Sequence, residues 1–301
     1  MEKATFDVII VGGSYAGMAA AMSLGRSMRN VLIIDSGKPC NRQTPHAHNL
    51  ITHDGNTPRQ IAAEAKAQVM KYETVQLYEG FAVRGSKVGN GFEVETSAGD
   101  IFKAKKLLMA TGVSDQMPAI EGFAECWGIS VLHCPYCHGY EVKGQKIGVI
   151  GNGDMGFDFA KLISNWSKDL MLFTNGKSSL TTEQTGKLSN HQIVIIDKAI
   201  AALRHEGGYL KEVIFTDGTT QVVSAVFARV AFEQACEIPE QLGCGFTEYG
   251  FIQTDDFQQT TVAGVFAAGD ITSMFRALPI AIAAGTKAGA IINKELIEEE
   301  F

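Results

Sequence analysis

Two cysteines three positions apart are the residues of this sequence best suited to chemistry. Cys134 and Cys137 enclose a proline and a tyrosine, and histidines lie at positions 133 and 138. Thiols at this spacing can close a small disulfide ring, or place one thiolate at a helix N-terminus, where it becomes nucleophilic. A histidine beside the pair can stabilise the thiolate or carry protons during exchange. The pattern indicates a redox-active dithiol, with His138 as the stronger proton-transfer candidate and Glu141 as a group that could orient it.

Three other interpretations of the cysteine pair remain open. The run from Cys134 to His138 also has the form C-x-x-C-H, which attaches c-type haem, but the N-terminal region does not have the pattern of an export signal. A zinc site needs a second pair of ligands, and Cys236 and Cys244 are eight residues apart, which is poor spacing. The third interpretation is a structural pair of buried thiols. We expect no metal site.

Two glycine-rich turns each follow an apolar segment and have the spacing of a dinucleotide-binding motif. Residues 151–156 (GNGDMG) match G-x-G-x-x-G in full, whereas residues 12–17 (GGSYAG) carry serine in place of the second glycine. The glycines of this motif permit a sharp turn, close approach of a pyrophosphate and tight helix–strand packing, and the pyrophosphate binds the helix N-terminus. The candidate nucleotide-binding residues are Gly12, Gly13, Ser14, Ala16, Gly17, Gly151, Gly153, Asp154 and Gly156.

Only the first turn is followed by the acidic residue that completes the motif. Asp35 ends the next apolar segment, about 20 residues on, where a carboxylate binds a ribose diol. A helix-capping or loop aspartate is the alternative. After the second turn the corresponding segment is followed by TNGK, so Lys177 is the only nearby cation and a choice between NADH and NADPH is left open. Two nucleotide sites would supply a dithiol with electrons, which favours the redox interpretation of the cysteines.

These residues are positioned by a βαβ pattern that occurs twice. Segments at 6–11 and 31–34 flank a helical segment at 18–27, and segments at 146–150 and 170–173 flank another at 157–165. Between the two patterns the sequence predicts a helix over 58–71, an antiparallel meander over 75–103 and a strand at 106–110. A lone strand at 265–268 and a helix from about Pro279 to Glu298 should complete the first sheet.

The fold class follows from this order. We predict an α/β protein with two Rossmann-like, three-layer ββα-type nucleotide-binding domains, the first of them discontinuous. Residues 1–115 and 247–301 form the first domain, and residues 116–246, which contain the cysteine pair, form an inserted second domain. Candidate hinges lie at 112–118 and 243–245.

The composition and charge of the chain argue against some classes of binding partner. The chain has 301 residues, 46% of them hydrophobic, and a net charge of −7 from 26 basic and 33 acidic residues. An acidic chain without a long basic run argues against nucleic acid as a partner. No apolar run approaches the roughly 20 residues that span a bilayer, so we expect no membrane association and a cytoplasmic protein.

The order of the motifs resembles the low-molecular-weight thioredoxin reductases, which are FAD-containing pyridine nucleotide–disulfide oxidoreductases. The resemblance includes both glycine turns, the C-x-x-C pair, Ala110-Thr111-Gly112, and residues 264–270, which end in Gly269-Asp270. It implies FAD on the first domain, with Asp35 at its ADP part and Asp270 at its ribityl or pyrophosphate part. The other implied cofactor is NADPH or NADH, at 151–156 on the second domain.

The resemblance also assigns roles to the two sulfurs. It implies that Cys137 faces the flavin and that Cys134 attacks an external disulfide, such as that of a thioredoxin-like protein. The family is usually homodimeric, and one of its domains rotates against the other.

Three departures from the family pattern indicate a second possible function. His138 replaces an acidic residue, the arginine-rich stretch after the second βαβ unit is missing, and Arg276-Ala277-Leu278 replaces Arg-Gln-Ala. These features bring the chain closer to dithiol oxidases of the gliotoxin and holomycin type. Such enzymes pass electrons from a small-molecule dithiol through FAD to oxygen. We therefore predict a thioredoxin reductase-like enzyme, with a dithiol oxidase as the alternative and a flavin-bound carrier without a working dithiol as the third possibility.

Overall fold

The computed structural model describes residues 5–301 and divides the chain into two compact units. The first is built from the chain up to Arg42, from Pro58–Ser114 and from Phe232–Phe301. The second is built from Gln43–Thr57 and Asp115–Ala231. Residues 1–4, which the sequence assigns to the first domain, lie outside the described residues.

The first unit is organised around a seven-stranded sheet. The elements of the chain up to residue 116 are β1 Thr5–Val11, α1 Tyr15–Arg26, β2 Val31–Asp35, α2 Pro58–Val69, β3 Val75–Glu79, β4 Ala82–Val88, β5 Gly91–Thr96, β6 Ile101–Met109 and β7 Val113–Gln116, which runs two residues into the second unit. Six of its strands run in the order β3–β2–β1–β6–β5–β4, and the seventh, from the C-terminal part of the chain, pairs with β6. β1 pairs in parallel with both β2 and β6. Since β1 is central, its apolar residues are buried on both faces, as the continuous apolar run predicts.

The second unit has its own parallel sheet. Its elements are α3 Phe123–Cys126, β8 Val131–Leu132, α4 Pro135–His138, β9 Ile147–Ile150, α5 Gly153–Ile163, β10 Leu170–Phe173, α6 Thr182–Asn190, β11 Val194–Ile196, β12 Ile200–Glu206, β13 Tyr209–Phe215, β14 Thr220–Val222 and β15 Ala225–Ala228. Five parallel strands run in the order β11–β10–β9–β15–β8, and β12–β13–β14 form a separate antiparallel sheet. Phe159 and Ile163 of α5 pack with Leu172 of β10 in the core of this unit.

The chain then returns to the first unit. The remaining elements are β16 Ala231–Gln234, α7 Ile238–Gln241, β17 Val265–Ala267 and α8 Leu278–Glu300. The strand β17 pairs in parallel with β6, with Val265 opposite Leu107. The prediction that a C-terminal strand and helix complete the first sheet is confirmed.

One predicted part of the first sheet is wrong. β3 is not the first strand of an antiparallel meander, because it pairs in parallel with β2, with Val31 opposite Val75. The segments predicted as separate strands at 101–103 and 106–110 form the single strand β6. This strand pairs antiparallel with β5 near its start and parallel with β17 at its end. β6 therefore joins the antiparallel part of the sheet to the parallel part.

Two segments lie in a different unit from the domain to which the sequence assigns them. Residues 43–57 pack with the second unit, where the Gln43 side chain donates to the Ala124 carbonyl at 3.2 Å. Residues 232–246 belong to the first unit, because Ile238 and Cys244 are buried in its core. Glycines 243 and 245, predicted as a hinge, lie within this unit.

A buried ammonium group ties α8 to the sheet of the first unit. Lys106 of β6 has a side chain only 7% exposed, and its Nζ lies 3.0 Å from Glu295 and 2.5 Å from Glu299. Burial acts to lower the pKa of Lys106, but hydrogen bonds and charges from Glu299 and Glu295 outweigh it and raise the pKa. Lys106 is therefore charged and paired.

Replacing Lys106 with methionine is expected to lower the free energy of unfolding by about 2 kcal/mol, because it leaves two carboxylates facing each other without a cation. Urea denaturation measures this loss. Lys105→Met is the matched control, since the Lys105 side chain is 46% exposed and its ion pairs contribute less than about 1 kcal/mol. Equal losses in the two variants would show that burial does not strengthen the Lys106 pairs.

Candidate active site

The first glycine turn connects β1 to α1 and has the shape that a dinucleotide requires. Gly12 has φ +105°, and a Cβ there would overlap the Ala110 carbonyl. A Cβ at Gly17 would overlap the Gly12 carbonyl. Ser14 is the N-cap residue, yet its side chain makes no capping hydrogen bond, and the first turn of α1 contains no acidic residue. This helix N-terminus can therefore bind an anion through its N–H groups.

Asp35 lies beside this turn at the end of β2. Its Oδ1 accepts a hydrogen bond from the Gly13 N–H at 2.8 Å, and its Oδ2 accepts one from the Gly37 N–H at 3.0 Å. The carboxylate caps no helix. It is held at the edge of the glycine turn, where an acidic residue of this type of fold binds the hydroxyls of a nucleotide ribose.

Two further predicted positions follow neighbouring parallel strands. Ala110, Thr111 and Gly112 come after β6, and Asp270 comes after β17 and pairs with Arg276 at 3.5 Å. The Thr111 Oγ1 is buried and has no hydrogen-bond partner within residues 5–301. Such a hydroxyl costs about 1–3 kcal/mol, so its presence points to a ligand that supplies the partner. Together with the glycine turn and Asp35, these residues fit FAD.

Replacing Thr111 with valine is expected to have opposite effects on the two forms of the protein. The FAD-free form should gain about 1 kcal/mol of unfolding free energy, because the unpaired hydroxyl is removed, and FAD should bind about tenfold more weakly. Thermal denaturation and FAD titration measure these effects. Thr96→Val is the control, since the Thr96 hydroxyl already lies 3.3 Å from the Tyr78 hydroxyl and from the Asp100 N–H. A stability loss in Thr111→Val would contradict a ligand role for this hydroxyl.

In the second unit, the two cysteines form a disulfide at the start of a short helical turn. Cys134 is the N-cap residue of α4, Pro135 occupies the first helical position, and the Cys134 and Cys137 Cα atoms are 5.3 Å apart. The Cys137 N–H donates to the Cys134 Sγ at 3.2 Å. That N–H would stabilise a thiolate on Cys134 once the disulfide is opened. The structure thus contradicts a pair of inert free thiols.

The two histidines beside the disulfide have different surroundings. Burial, and to a smaller extent the charge of His48, lower the pKa of His138 to about 4. At neutral pH the imidazole of His138 is therefore uncharged and able to accept a proton. His133 instead stacks on Trp127, with ring centroids 5.8 Å apart, and the Trp127 indole donates to Asp115 at 3.2 Å. His133 is thus part of an aromatic stack.

His48 is a site residue that sequence reasoning missed. Its ring is perpendicular to that of His138, with centroids 6.4 Å apart. Its Nε2 lies 3.6 Å from Glu141 and its Nδ1 lies 3.6 Å from Asp54. The carboxylate of Glu141, predicted to orient His138, thus lies against His48. No motif marks His48, because it lies far from the cysteines in the sequence, in the segment 43–57.

The second glycine turn has the predicted shape but different polar surroundings. Asn152, the N-cap of α5, accepts hydrogen bonds from the N–H groups of Gly153 at 2.9 Å and Ser179 at 2.8 Å, and its amide donates to the Lys177 carbonyl at 2.9 Å. These bonds connect the loop after β10 to the turn. Asp154 places a carboxylate in the first turn of α5. This helix N-terminus is therefore less favourable for a pyrophosphate than that of α1.

A cavity of about 300 Å³ lies beside this second turn, at the ends of the parallel strands. Arg229 is the only charged side chain among its lining residues in the described part of the chain, and its guanidinium lies 4.7 Å above the Phe159 ring. The Thr174 hydroxyl donates to the Gly176 carbonyl, and the Asn175 side chain accepts from the Ile200 N–H. The cavity fits a nucleotide in shape, but the loop after β10 brings no arginine to it.

Comparison with known proteins identifies the family. A sequence profile of the family described as pyridine nucleotide-disulphide oxidoreductase matches residues 6–285. This chain belongs to that family. The predicted resemblance is thus confirmed, and the protein is an FAD-dependent disulfide oxidoreductase of the thioredoxin reductase type. Membership of this enzyme family argues against a carrier without a working dithiol.

Three relatives illustrate the similarity. A protein named thioredoxin reductase tcpT, from Claviceps purpurea, is 32% identical over 314 residues, which covers 97% of this chain and 95% of the relative. The solved structure of a putative thioredoxin reductase TrxB from Bacillus anthracis has a TM-score of 0.94 and 34% identity, and covers 98% of this chain and 100% of its own. The structure of HlmI has a TM-score of 0.93 and 30% identity, and the match covers 98% of this chain and 94% of HlmI.

These similarities confirm the predicted fold class of two Rossmann-like α/β domains. The cofactors of the family are FAD and a pyridine nucleotide, NADPH or NADH. No helix within residues 5–301 is both long enough and apolar enough to cross a bilayer.

Proposed function

We propose that this enzyme transfers electron pairs from NADPH or NADH to an external disulfide, such as that of a thioredoxin-like protein, through Cys134 and Cys137. The observation that carries the proposal is the disulfide at the N-terminus of α4, in the same unit as the second glycine turn. The first glycine turn, Asp35 and Thr111 would hold FAD, which would supply the two-electron step between the nucleotide and the protein sulfurs.

Once the internal disulfide has received two electrons from the nucleotide, the exchange with the external disulfide needs only these two sulfurs. The Cys134 thiolate attacks one sulfur of the external disulfide, which forms a mixed disulfide and releases the first external thiolate. The Cys137 thiolate then attacks the Cys134 sulfur, which restores the internal disulfide and releases the second thiolate. Protons for the released thiolates pass through His138, which lies directly after Cys137. The assignment of Cys134 as the attacking sulfur comes from the family resemblance.

A second candidate function reverses this flow. A small-molecule dithiol would reduce the Cys134–Cys137 disulfide, and the electron pair would pass through FAD to oxygen. Two observations favour it. The neutral imidazole of His138 can accept a proton from an incoming thiol. In the second glycine turn the Asn152 side chain already accepts the Gly153 N–H, and Asp154 adds a carboxylate, so this turn is a weaker site for a nucleotide pyrophosphate.

Reduction of the bound flavin without air decides between these functions. The purified holoenzyme is titrated with NADPH, with NADH and with dithiothreitol, and flavin absorbance is followed. The proposal expects at least one nucleotide to bleach the flavin within seconds. Bleaching by dithiothreitol alone would establish the dithiol oxidase direction, and bleaching by none of the three would refute both functions.

Replacing Arg229 with methionine provides a matched test of the nucleotide cavity. We expect nucleotide-driven bleaching to require about tenfold more nucleotide, because the one cation that lines the cavity within residues 5–301 is lost. Dithiothreitol-driven bleaching should be unchanged. Nucleotide titrations of the variant and the parent measure the shift. An equal effect on both reductants would mean that Arg229 acts on the fold.

A further inference from the structure

The position of His138 raises the question of where its proton goes. In the proposed function, this imidazole takes up or delivers the protons of the exchanging thiols. With a pKa of about 4, it cannot hold a proton for long at neutral pH. The imidazole is also only partly exposed, so a neighbouring group with a route to water can relay that proton.

His48 meets both requirements. Its ring lies next to that of His138, at 6.4 Å between centroids, and its two nitrogens lie 3.6 Å from carboxylates on opposite sides. Its own side chain is 20% exposed, whereas those of Glu141 and Asp54 are 39% and 66% exposed. Exposure thus increases step by step from the histidines to solvent. At 3.6 Å each pair is within ion-pair distance, and a small side-chain rotation shortens it to a hydrogen bond.

The segment 43–57 is built to hold His48 in this place. Ala47 and Gly55 lie across from each other, since the Gly55 N–H donates to the Ala47 carbonyl at 2.9 Å. The Asp54 carboxylate accepts the Asn49 N–H at 2.7 Å, which fixes the carboxylate that faces His48. The whole segment packs with the second unit, which also contains the cysteine pair.

We propose that His48 is a positioning residue that passes protons between His138 and the solvent through the carboxylates of Asp54 and Glu141. This inference rests on the proposed function, in either direction of flow. In dithiol oxidation a thiol proton moves to His138, then to His48, then to Asp54 or Glu141 and to water, while the electron pair stays with the sulfur. In disulfide reduction the same proton path runs inward.

Four titratable groups within residues 5–301 face His48, and three of them belong to the relay. They are His46, at 6.4 Å between centroids, His138, Asp54 and Glu141. His46 is not in the path, because its Nδ1 already contacts the Gly55 carbonyl at 2.8 Å. It therefore provides a control within the same segment.

The test compares His48→Phe with His46→Phe in the holoenzyme, with hydroxyethyl disulfide and dithiothreitol as substrates. We expect His48→Phe to lower kcat about 10- to 100-fold at pH 7, with flavin content and Tm unchanged. Added imidazole should restore much of the rate, because a free base replaces the missing ring. His46→Phe should change kcat less than twofold and show no rescue.

A second variant guards against a packing effect. His48→Gln keeps the polar contacts but carries no proton at neutral pH, so its kcat should fall as far as that of His48→Phe. Full activity of His48→Gln, or an unchanged pH profile without imidazole rescue in an impaired His48→Phe, would overturn the relay. A parent enzyme that turns over neither substrate would instead refute the proposed function, and the relay with it.

Discussion

Replacing Cys137 with serine is expected to lower disulfide or dithiol turnover by about 1,000-fold or more, with FAD still bound. A serine hydroxyl cannot take the place of the sulfur that closes the internal disulfide, and removal of one member of a catalytic pair costs nearly as much as removal of both. The measurement is steady-state turnover together with flavin content. Cys40→Ser is the matched control, because Cys40 is exposed and lies in the first unit, so its turnover should match that of the parent enzyme.

The companion variant, Cys134→Ser, separates the roles of the two sulfurs. The family resemblance assigns the flavin-facing position to Cys137, so a Cys137 thiolate left free in Cys134→Ser should give long-wavelength charge-transfer absorbance with oxidised FAD. Cys137→Ser should lack this absorbance. The reverse pattern would show that the roles are exchanged, and loss of turnover in neither variant would remove the dithiol from the mechanism.

The parts of the fold that the sequence predicts correctly are those with strong periodicity. The apolar run of β1, the glycine turn after it and the alanine-rich α1 form a local pattern, in which each residue type has one favoured structure. The C-terminal strand β17 was predictable because an apolar strand cannot remain alone. The parallel pairing of β3 was not, since a short strand after a helix has the same composition whether it continues the parallel sheet or begins a meander.

Some residues of the candidate site are likewise predictable from the sequence, and others are not. Cys134, Cys137 and His138 are neighbours in the sequence, so their spacing identifies them. His48 comes from a segment that leaves the first unit and packs on the second, and no local pattern encodes that crossing. The hydrogen bonds of Asn152 across the second glycine turn were also beyond prediction, because motif spacing reports backbone shape and not which side chain occupies the N–H groups.

The second large effect is expected from His138. Replacing it with alanine should lower kcat/KM by about 10²- to 10⁴-fold, which is the usual contribution of a positioned acid–base group. Since its pKa is about 4, the parent enzyme should show no fall in rate near pH 6.5 from this residue. Its uncharged form is already dominant at pH 5. A pH–rate profile of kcat/KM measures this, and an acidic limb near pH 6.5 that disappears in His138→Ala would contradict the depressed pKa.

The same depressed pKa makes His138 a source of pH-dependent stability. An unfolded chain protonates this histidine near pH 6.5, whereas the folded protein resists protonation down to about 4. The unfolded state therefore binds more protons in this window, and folding stability falls as the pH drops from 6.5 towards 4, by up to about 3 kcal/mol. His138→Phe keeps a buried ring without the titration, so its unfolding free energy should fall less over the same range. Urea denaturation of both proteins at each pH measures the difference. An equal loss of stability in the two would mean that other groups cause the acid sensitivity and that His138 is readily protonated in the folded enzyme.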